Sequence, residues 1–365
     1  MNNKGMKNLA ALLIASCITV GGYAQLGQIG TLMAGGSSDA TKLLQQYLKP
    51  FGNALGANLS AGWYNTAKVH KLGGVDLTFS LSFAMVPSGD KSFDPTKLGL
   101  AGSVSGNNAP TLSGKNVNGP TVSYTKNISG TDYTIASYKT PKGLGVGFIP
   151  SPMLQLSVGL IKETAISFRY VPTTKIGNVG KIGLWGVGLQ HGLKQWIPVV
   201  SRVPFLNLTL QAGYTKLTSS ADISVTPADL NAEDQTGIPN FWAGQNMNLT
   251  VSNFTANIVA SVDIPVITVY GAVGLSSSKT DLSLLGNYPI PSSYDLGTSK
   301  GIVDNSNASL MKDPIKIHIG SNDGNLTKPR LSAGLMFKLA VLHIHFDYTY
   351  AYYSIFSTGI GLSFR

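Results

Sequence analysis

Within the run Leu342–Tyr352, His343, His345 and Asp347 recur at every second residue. In extended backbone that spacing places all three side chains on one face, one above another. Two neutral imidazoles so placed can share a metal ion such as zinc, provided a third ligand is fixed nearby. A hydrogen-bonded polar cluster needs no such addition, and no metal or cofactor is expected here. Arg169, Gln211, Arg330 and Lys338 hold equivalent positions in other alternating runs. Two roles suit these four: selecting anions or gripping a carboxylate headgroup, or solvating a wet interior and neutralising acidic side chains inside it.

Other chemistry is missing from the chain. Gly180-Lys181 is followed by Ile182, where a phosphate-binding loop wants Ser or Thr. A serine hydrolase would need a serine, a histidine and an orienting polar residue converging in space, and nothing in the sequence nominates the serine, so an enzyme is not expected. The 27 basic and 17 acidic residues give an excess of positive charge, yet no two Lys or Arg are adjacent. Nucleic-acid binding needs clustered cations and is not expected either.

The elements that must carry these residues are strands. Charged residues make up 12% of the chain and glycine contributes 42 residues, a composition poorer in charge and richer in glycine than soluble domains. Val75, Leu77, Phe79, Leu81, Phe83 and Met85 alternate with Asp76, Thr78, Ser80, Ser82 and Ala84. A helix does not hold that pattern over such a length, whereas a strand with one lipid-facing side does. Similar faces recur at Leu154–Leu160, Ile166–Tyr170, Leu206–Tyr214, Phe254–Val262 and Leu331–Phe337. The run from Leu342 ends in Tyr348, Tyr350 and Tyr352, as an interfacial aromatic girdle would. The reading is therefore all-β: a transmembrane antiparallel β-barrel spanning residues 59–365. With weak strands at 98–105 and 119–127 the count is fourteen; the alternative is twelve. Short turns at Ile161–Glu163, Asp263–Pro265 and Lys338–Val341 are expected at the periplasmic end, and the polar segments 220–246 and 280–328 at the outer end. Between them, 190–203 reads as an amphipathic helix carrying Leu193, Trp196, Ile197 and Val200.

Ahead of the barrel, Lys4, Lys7, an apolar run from Leu9 to Val20 and Gly22-Tyr23-Ala24 make a cleavable signal peptide over residues 1–24. The competing reading is a lipoprotein box ending at Cys17. Residues 25–58 follow as a plug segment, with a short helix capped by Ser38 or Asp39 and stopped by Pro50. A helix here can fill a lumen that a wide barrel otherwise leaves open.

Two resemblances follow from particular runs. Ser357-x-Gly359-x-x-Leu362-x-Phe364 resembles the C-terminal signal read by the barrel-assembly machinery, with Arg365 standing after the aromatic that is usually last. Trp63-Tyr64-Asn65-Thr66-Ala67 resembles the end of the hatch in FadL-type long-chain fatty-acid channels, where Asn65 matches the motif and Thr66 replaces its proline. Gly62–Ala67 and Lys194–Pro198 are also similar to an uncharacterised group of outer-membrane barrels. These resemblances imply a Gram-negative outer-membrane location and passive uptake of a small hydrophobic or amphipathic, fatty-acid-like molecule, with outer-membrane lipid as the surroundings. The alternative is a non-transporting anchor or accessory subunit whose loops contact a surface protein partner.

Overall fold

The computed structural model describes residues 29–176, 180–319 and 325–364; the expected signal peptide lies outside them. The barrel strands are β1 (Val75–Met85), β2 (Phe148–Gly159), β3 (Thr164–Ile176), β4 (Gly180–Gly192), β5 (Leu206–Asp222), β6 (Asn246–Asp263), β7 (Ile267–Leu285), β8 (Asn325–Leu339), β9 (Leu342–Tyr350) and β10 (Ser354–Phe364). Each is antiparallel to its neighbours, and β1 pairs with β10 from Val75↔Phe364 to Met85↔Ser354, which closes the cylinder. The sheet has eleven strands in all, but the eleventh, Ile315–Ile319, only flanks the loop end of β7. Ten strands therefore form the wall, not fourteen or twelve.

The miscount has a local cause. The expected strands at 98–105 and 119–127 belong to the long connection between β1 and β2. There Ser103–Val104 pairs with Thr121–Ile128, which forms a hairpin with Thr131–Lys139. Alternation marks an extended segment with two unlike faces, and a folded loop hairpin has those as well as a wall strand does.

Inside and outside are reversed relative to a protein dissolved in water. Thr78, Ser80, Ser82, Gln155, Ser157, Arg169, Gln211, Asn257, Arg330 and His345 are buried, while Leu77, Leu156, Phe168, Val187, Leu210, Ile258, Val273, Leu335 and Ile360 are exposed. The alternation read from the sequence is this inversion seen one strand at a time. The three short turns share one end, together with the connection from β4 to β5, while the connections after β1, β5 and β7 crown the other. The expected amphipathic helix of 190–203 shrinks to a 3₁₀ turn, Lys194–Trp196, and a four-residue helix, Pro198–Ser201.

Helix α1 (Gly36–Ser60) runs down the lumen from the loop end. Pro50 does not stop it. A proline removes one backbone donor and crowds the preceding turn, but here the wall surrounds the helix, and Leu43, Leu44, Tyr47, Leu48, Ala54, Leu55 and Leu59 are all buried. Ser38 and Asp39 lie within its first turn, and no side chain caps its N-terminus. Asp39 instead accepts hydrogen bonds from the Ala101 amide at 2.7 Å and the Tyr124 hydroxyl at 2.9 Å, tying α1 to the first loop. Burial there pushes the Tyr138 hydroxyl up to about 12, and its neighbour Tyr124 higher still. The loop-side half of α1 shares an apolar core with Leu112, Val122, Ile223, Val225, Tyr288, Val303 and Ile317. Beyond Ser60 the chain continues through the lumen to the turn end, so the barrel begins at Val75 rather than at residue 59.

One seam is shorter than its strands. β2 and β3 pair only from Gly159↔Ala165 to Gln155↔Arg169, which leaves 148–154 and 170–176 without partners across that seam. β3 also carries a bulge between Val171 and Thr174 in its pairing with β4. A bulge bends its strand and adds twist, which takes β3 away from β2 at the loop end.

Candidate functional site

The lumen is built in layers. Nearest the loops, Val86, Ile149, Val171, Ile182, Leu184, Leu217, Val251 and Ile355 make an apolar lining against Ala54, Leu55 and Leu59 of α1. Val86, Ile149 and Ile355 come from the ends of β1, β2 and β10 or just beyond them. This half of the lumen therefore breaks the apolar-out, polar-in rule because a helix, not water, fills it.

At the end of α1 two wall arginines meet its last carbonyls. Arg169, 1% exposed, donates through Nη1 to the Leu59 carbonyl at 3.1 Å and through Nη2 to the Ala61 carbonyl at 2.6 Å. Its Nε is held by Gln155 Oε1 at 3.0 Å. From the far wall, Arg330 Nη1 donates to the Ser60 carbonyl at 2.6 Å and to Thr255 Oγ1 at 3.2 Å. The last carbonyls of a helix lack partners within it and form the negative end of its dipole. Both cations thus cap α1. They hold backbone carbonyls, not the acidic side chains that the sequence reading considered. Gln211 lies lower on β5, where its Oε1 accepts from Asn257 Nδ2.

Trp63 and Tyr64 come next. The Arg169 guanidinium stacks on the Trp63 ring, which lies flat on Gly188 of β4 and Gly213 of β5; a Cβ at either position would come within 2.6 Å of the ring. The Tyr64 hydroxyl is 2.6 Å from Ser332 Oγ, and its ring meets Tyr270 edge-on at 6.2 Å. Tyr270 in turn donates to Asp347 at 3.4 Å.

The histidines lie at the turn end. His343 Nε2 is 2.8 Å from Asp76 Oδ2, and Thr78 donates to the other oxygen of Asp76. His345 is 1% exposed, and among the described residues neither ring nitrogen has a hydrogen-bond partner. Its ring borders a cavity of about 20 Å³ shared with Asn65, Thr66, His70, Asp76 and Gln190, enough for one water. Gly359 and Gly361 of β10 make room for the two rings, since a Cβ there would touch His345 and His343. Among the described residues, no three His, Cys, Asp or Glu side chains come close enough to hold a metal ion. Asp347 is one layer above the pair and faces Tyr270 instead.

Lys338 is at the mouth, 3.6 Å from Asp263, which also accepts from Thr66, Asn207, Ser261 and Thr268. A vestibule of about 850 Å³ opens here, lined by Asn65, Lys68, Asp76, Met336, Lys338 and His343 among others. Sequence reading had selected the wall residues but missed Trp63, Gln155 and Asp263 as their partners. In sequence Asp263 stands in the short turn Asp263–Pro265, and an acid at the end of an alternating run is a legible sign of a lumen mouth. Leu362 and Phe364 of the terminal motif face outward, whereas Gly359 faces inward beneath His345.

A model of a family of unknown function, DUF6588, matches residues 6–364. No protein with a curated description matches the chain in sequence. Among solved structures, the chain is similar to Ail, the attachment invasion locus protein of Yersinia pestis, with 7% identity and a TM-score of 0.23 over 80% of this chain and 98% of that one. It is similar to OmpT, an outer membrane protein of Vibrio cholerae, with 8% identity and a TM-score of 0.19 over 80% and 100%. A third is the TodX monoaromatic hydrocarbon channel, with 8% identity and a TM-score of 0.27 over 82% and 68%. Overlap this slight carries nothing about what the chain does, and the likeness of Trp63–Ala67 to a fatty-acid channel hatch is not among what these matches show.

Proposed function

The chain belongs to the DUF6588 family, and we propose that it is a β-barrel of the Gram-negative outer membrane through which a small hydrophobic or amphipathic molecule passes when α1 moves. The exposed apolar wall supports the membrane location, because lipid-facing side chains must be apolar over the ~25 Å height of such a barrel. Aromatic side chains mark both rims: Phe83, Phe148, Tyr170, Trp185, Tyr348 and Tyr350 towards the loops, Trp196, Phe205, Phe337 and Phe364 towards the turns. With the loops outside, the terminal strand β10 has its end in the periplasm, where the barrel-assembly machinery would read it.

One observation carries the transport reading: the loop-side half of the lumen is apolar and lies behind the unpaired part of the β2–β3 seam. A ligand entering among the loops would displace Leu55 and Leu59 from this lining and reach the bilayer through the seam. The polar, filled turn-side half would then keep water and ions from crossing. No cofactor takes part. The filled lumen favours a second reading, a closed anchor whose loop cap holds a surface protein partner.

Reconstitution into liposomes separates the two. Transport predicts that the intact protein takes up a fluorescent long-chain fatty acid with little ion conductance, and that deleting residues 29–60 opens a large conductance. Absence of uptake by both forms would leave the anchor reading.

A further inference from the structure

The open seam coincides with an unusual set of residues. Gly159 bonds to the β1 side, donating to the Gly74 carbonyl and accepting from the Gly73 amide, while the Leu160 amide donates to Thr164 on the β3 side. At the other end of the strand, the Val86 amide donates to the Gly147 carbonyl. Odd-numbered residues of β2 therefore point their backbone groups at β1, and even-numbered ones at β3. Pro150 and Pro152 are even-numbered. They leave the β1–β2 ladder untouched and remove donors only from the edge facing β3. Extending the register of Gln155↔Arg169 by three residues would set Pro152 against Pro172, so the first place where the ladder could resume beyond Leu154 and Tyr170 has no N–H on either strand. The bulge over Pro172 and Thr173 packs Thr173 on Gly183, away from β2.

We propose that Pro150, Pro152 and Pro172 keep the loop-side half of the β2–β3 seam unzipped, so that α1 closes this part of the wall from within. Open edges do not persist in lipid, because each exposed donor or acceptor is costly there. Proline is the residue that lowers this cost without closing the seam, since it deletes the donor. Behind the gap, Ala54, Leu55 and Leu59 of α1 share an apolar cluster with Ile149 of β2 and Val171 of β3, Asn58 donates to the Ile149 carbonyl within the β1–β2 ladder at 2.6 Å, and Arg169 at the lower end of the gap holds the helix. The closure is thus made by side chains that can release, whereas a β-ladder would seal it along its length. As a route for the ligand, this gap rests on the transport reading above; as a property of the wall, it does not.

The test is amide hydrogen exchange on the protein in lipid nanodiscs, combined with fatty-acid uptake in liposomes. In the native protein, the Leu154 amide, the first of β2 beyond the ladder, is expected to exchange roughly fivefold or more faster than that of Leu156, one lost hydrogen bond. The variant Pro150→Thr/Pro152→Val/Pro172→Val should slow exchange across 148–154 and 170–176 and lose uptake. Slowed exchange with uptake unchanged would support the role of the prolines and overturn the seam as the ligand's route. Exchange as fast as in the native protein would overturn the proposal. Should the variant not fold, equal protection of Leu154 and Leu156 in the native protein overturns it alone.

Discussion

The Arg169 guanidinium lies 3.6 Å from the centre of the Trp63 ring, a wall cation stacked on an aromatic of the segment that runs through the lumen. The same side chain bonds the carbonyls on either side of the end of α1, so it joins helix, lumenal segment and wall in one place.

Replacing Arg169 with Met should therefore lower barrel stability by about 3 kcal/mol, because the Leu59 and Ala61 carbonyls lose a charged donor inside the lumen. Arg169→Lys should not restore it, since one ammonium lacks the fork that spans two carbonyls. Heat-dependent migration of the folded barrel in gels reads the stability. In bilayers the Met variant should also show conductance bursts absent from the native protein.

The bed of Trp63 gives a steric test. Gly213→Ala puts a methyl 2.5 Å from the ring, while Gly89 has open space around its Cβ position. Gly213→Ala should cost about 1–3 kcal/mol through overpacking, and Gly89→Ala should leave thermal unfolding within experimental scatter.

The terminal motif separates into packing and recognition. Gly359→Ala drives a methyl into His345 and should lower unfolding temperature with normal insertion. Phe364→Ala, whose side chain faces outward, should reduce the yield of inserted barrel while the inserted fraction unfolds like the native protein. Cell-fractionation yield and unfolding of the purified barrel measure the two separately.

The loop cap has its own acid limb. Burial opposes ionisation of Asp234, but hydrogen bonds from Thr236 and from Trp242 Nε1 at 2.7 Å hold its carboxyl below the usual range. A depressed folded-state value means the contribution is fully present above the unfolded value of about 3.9 and is lost as pH falls through the lower folded value. Tryptophan fluorescence followed downward from pH 7 should stay level until below the ordinary carboxylate range and then change. Asp234→Asn should remove that low-pH change.

By itself the sequence determined which faces of the wall strands turn outward and which turn into the lumen. Alternation along Val75–Met85 or Leu342–Tyr350 is enough to assign a strand, its apolar outward face and its polar lumen face, because successive side chains of a strand point to opposite sides. The contrast between short turns and long polar segments also put Ile161–Glu163, Asp263–Pro265 and Lys338–Val341 at one end. The sequence placed Arg169, Gln211, Arg330, His343 and His345 inside, since a charge or a polar head in lipid is costly on any strand.

Tertiary structure alone decided the rest. Whether 119–127 is wall or loop depends on which edge it meets, and Thr121–Ile128 meets Thr131–Lys139 rather than a barrel neighbour. Where α1 ends depends on the wall around Pro50 and on two arginines more than 100 residues away in sequence, at 169 and 330. That they bind helix carbonyls and not a ligand is a fact of position: a guanidinium satisfies whatever acceptor the closed lumen brings to it.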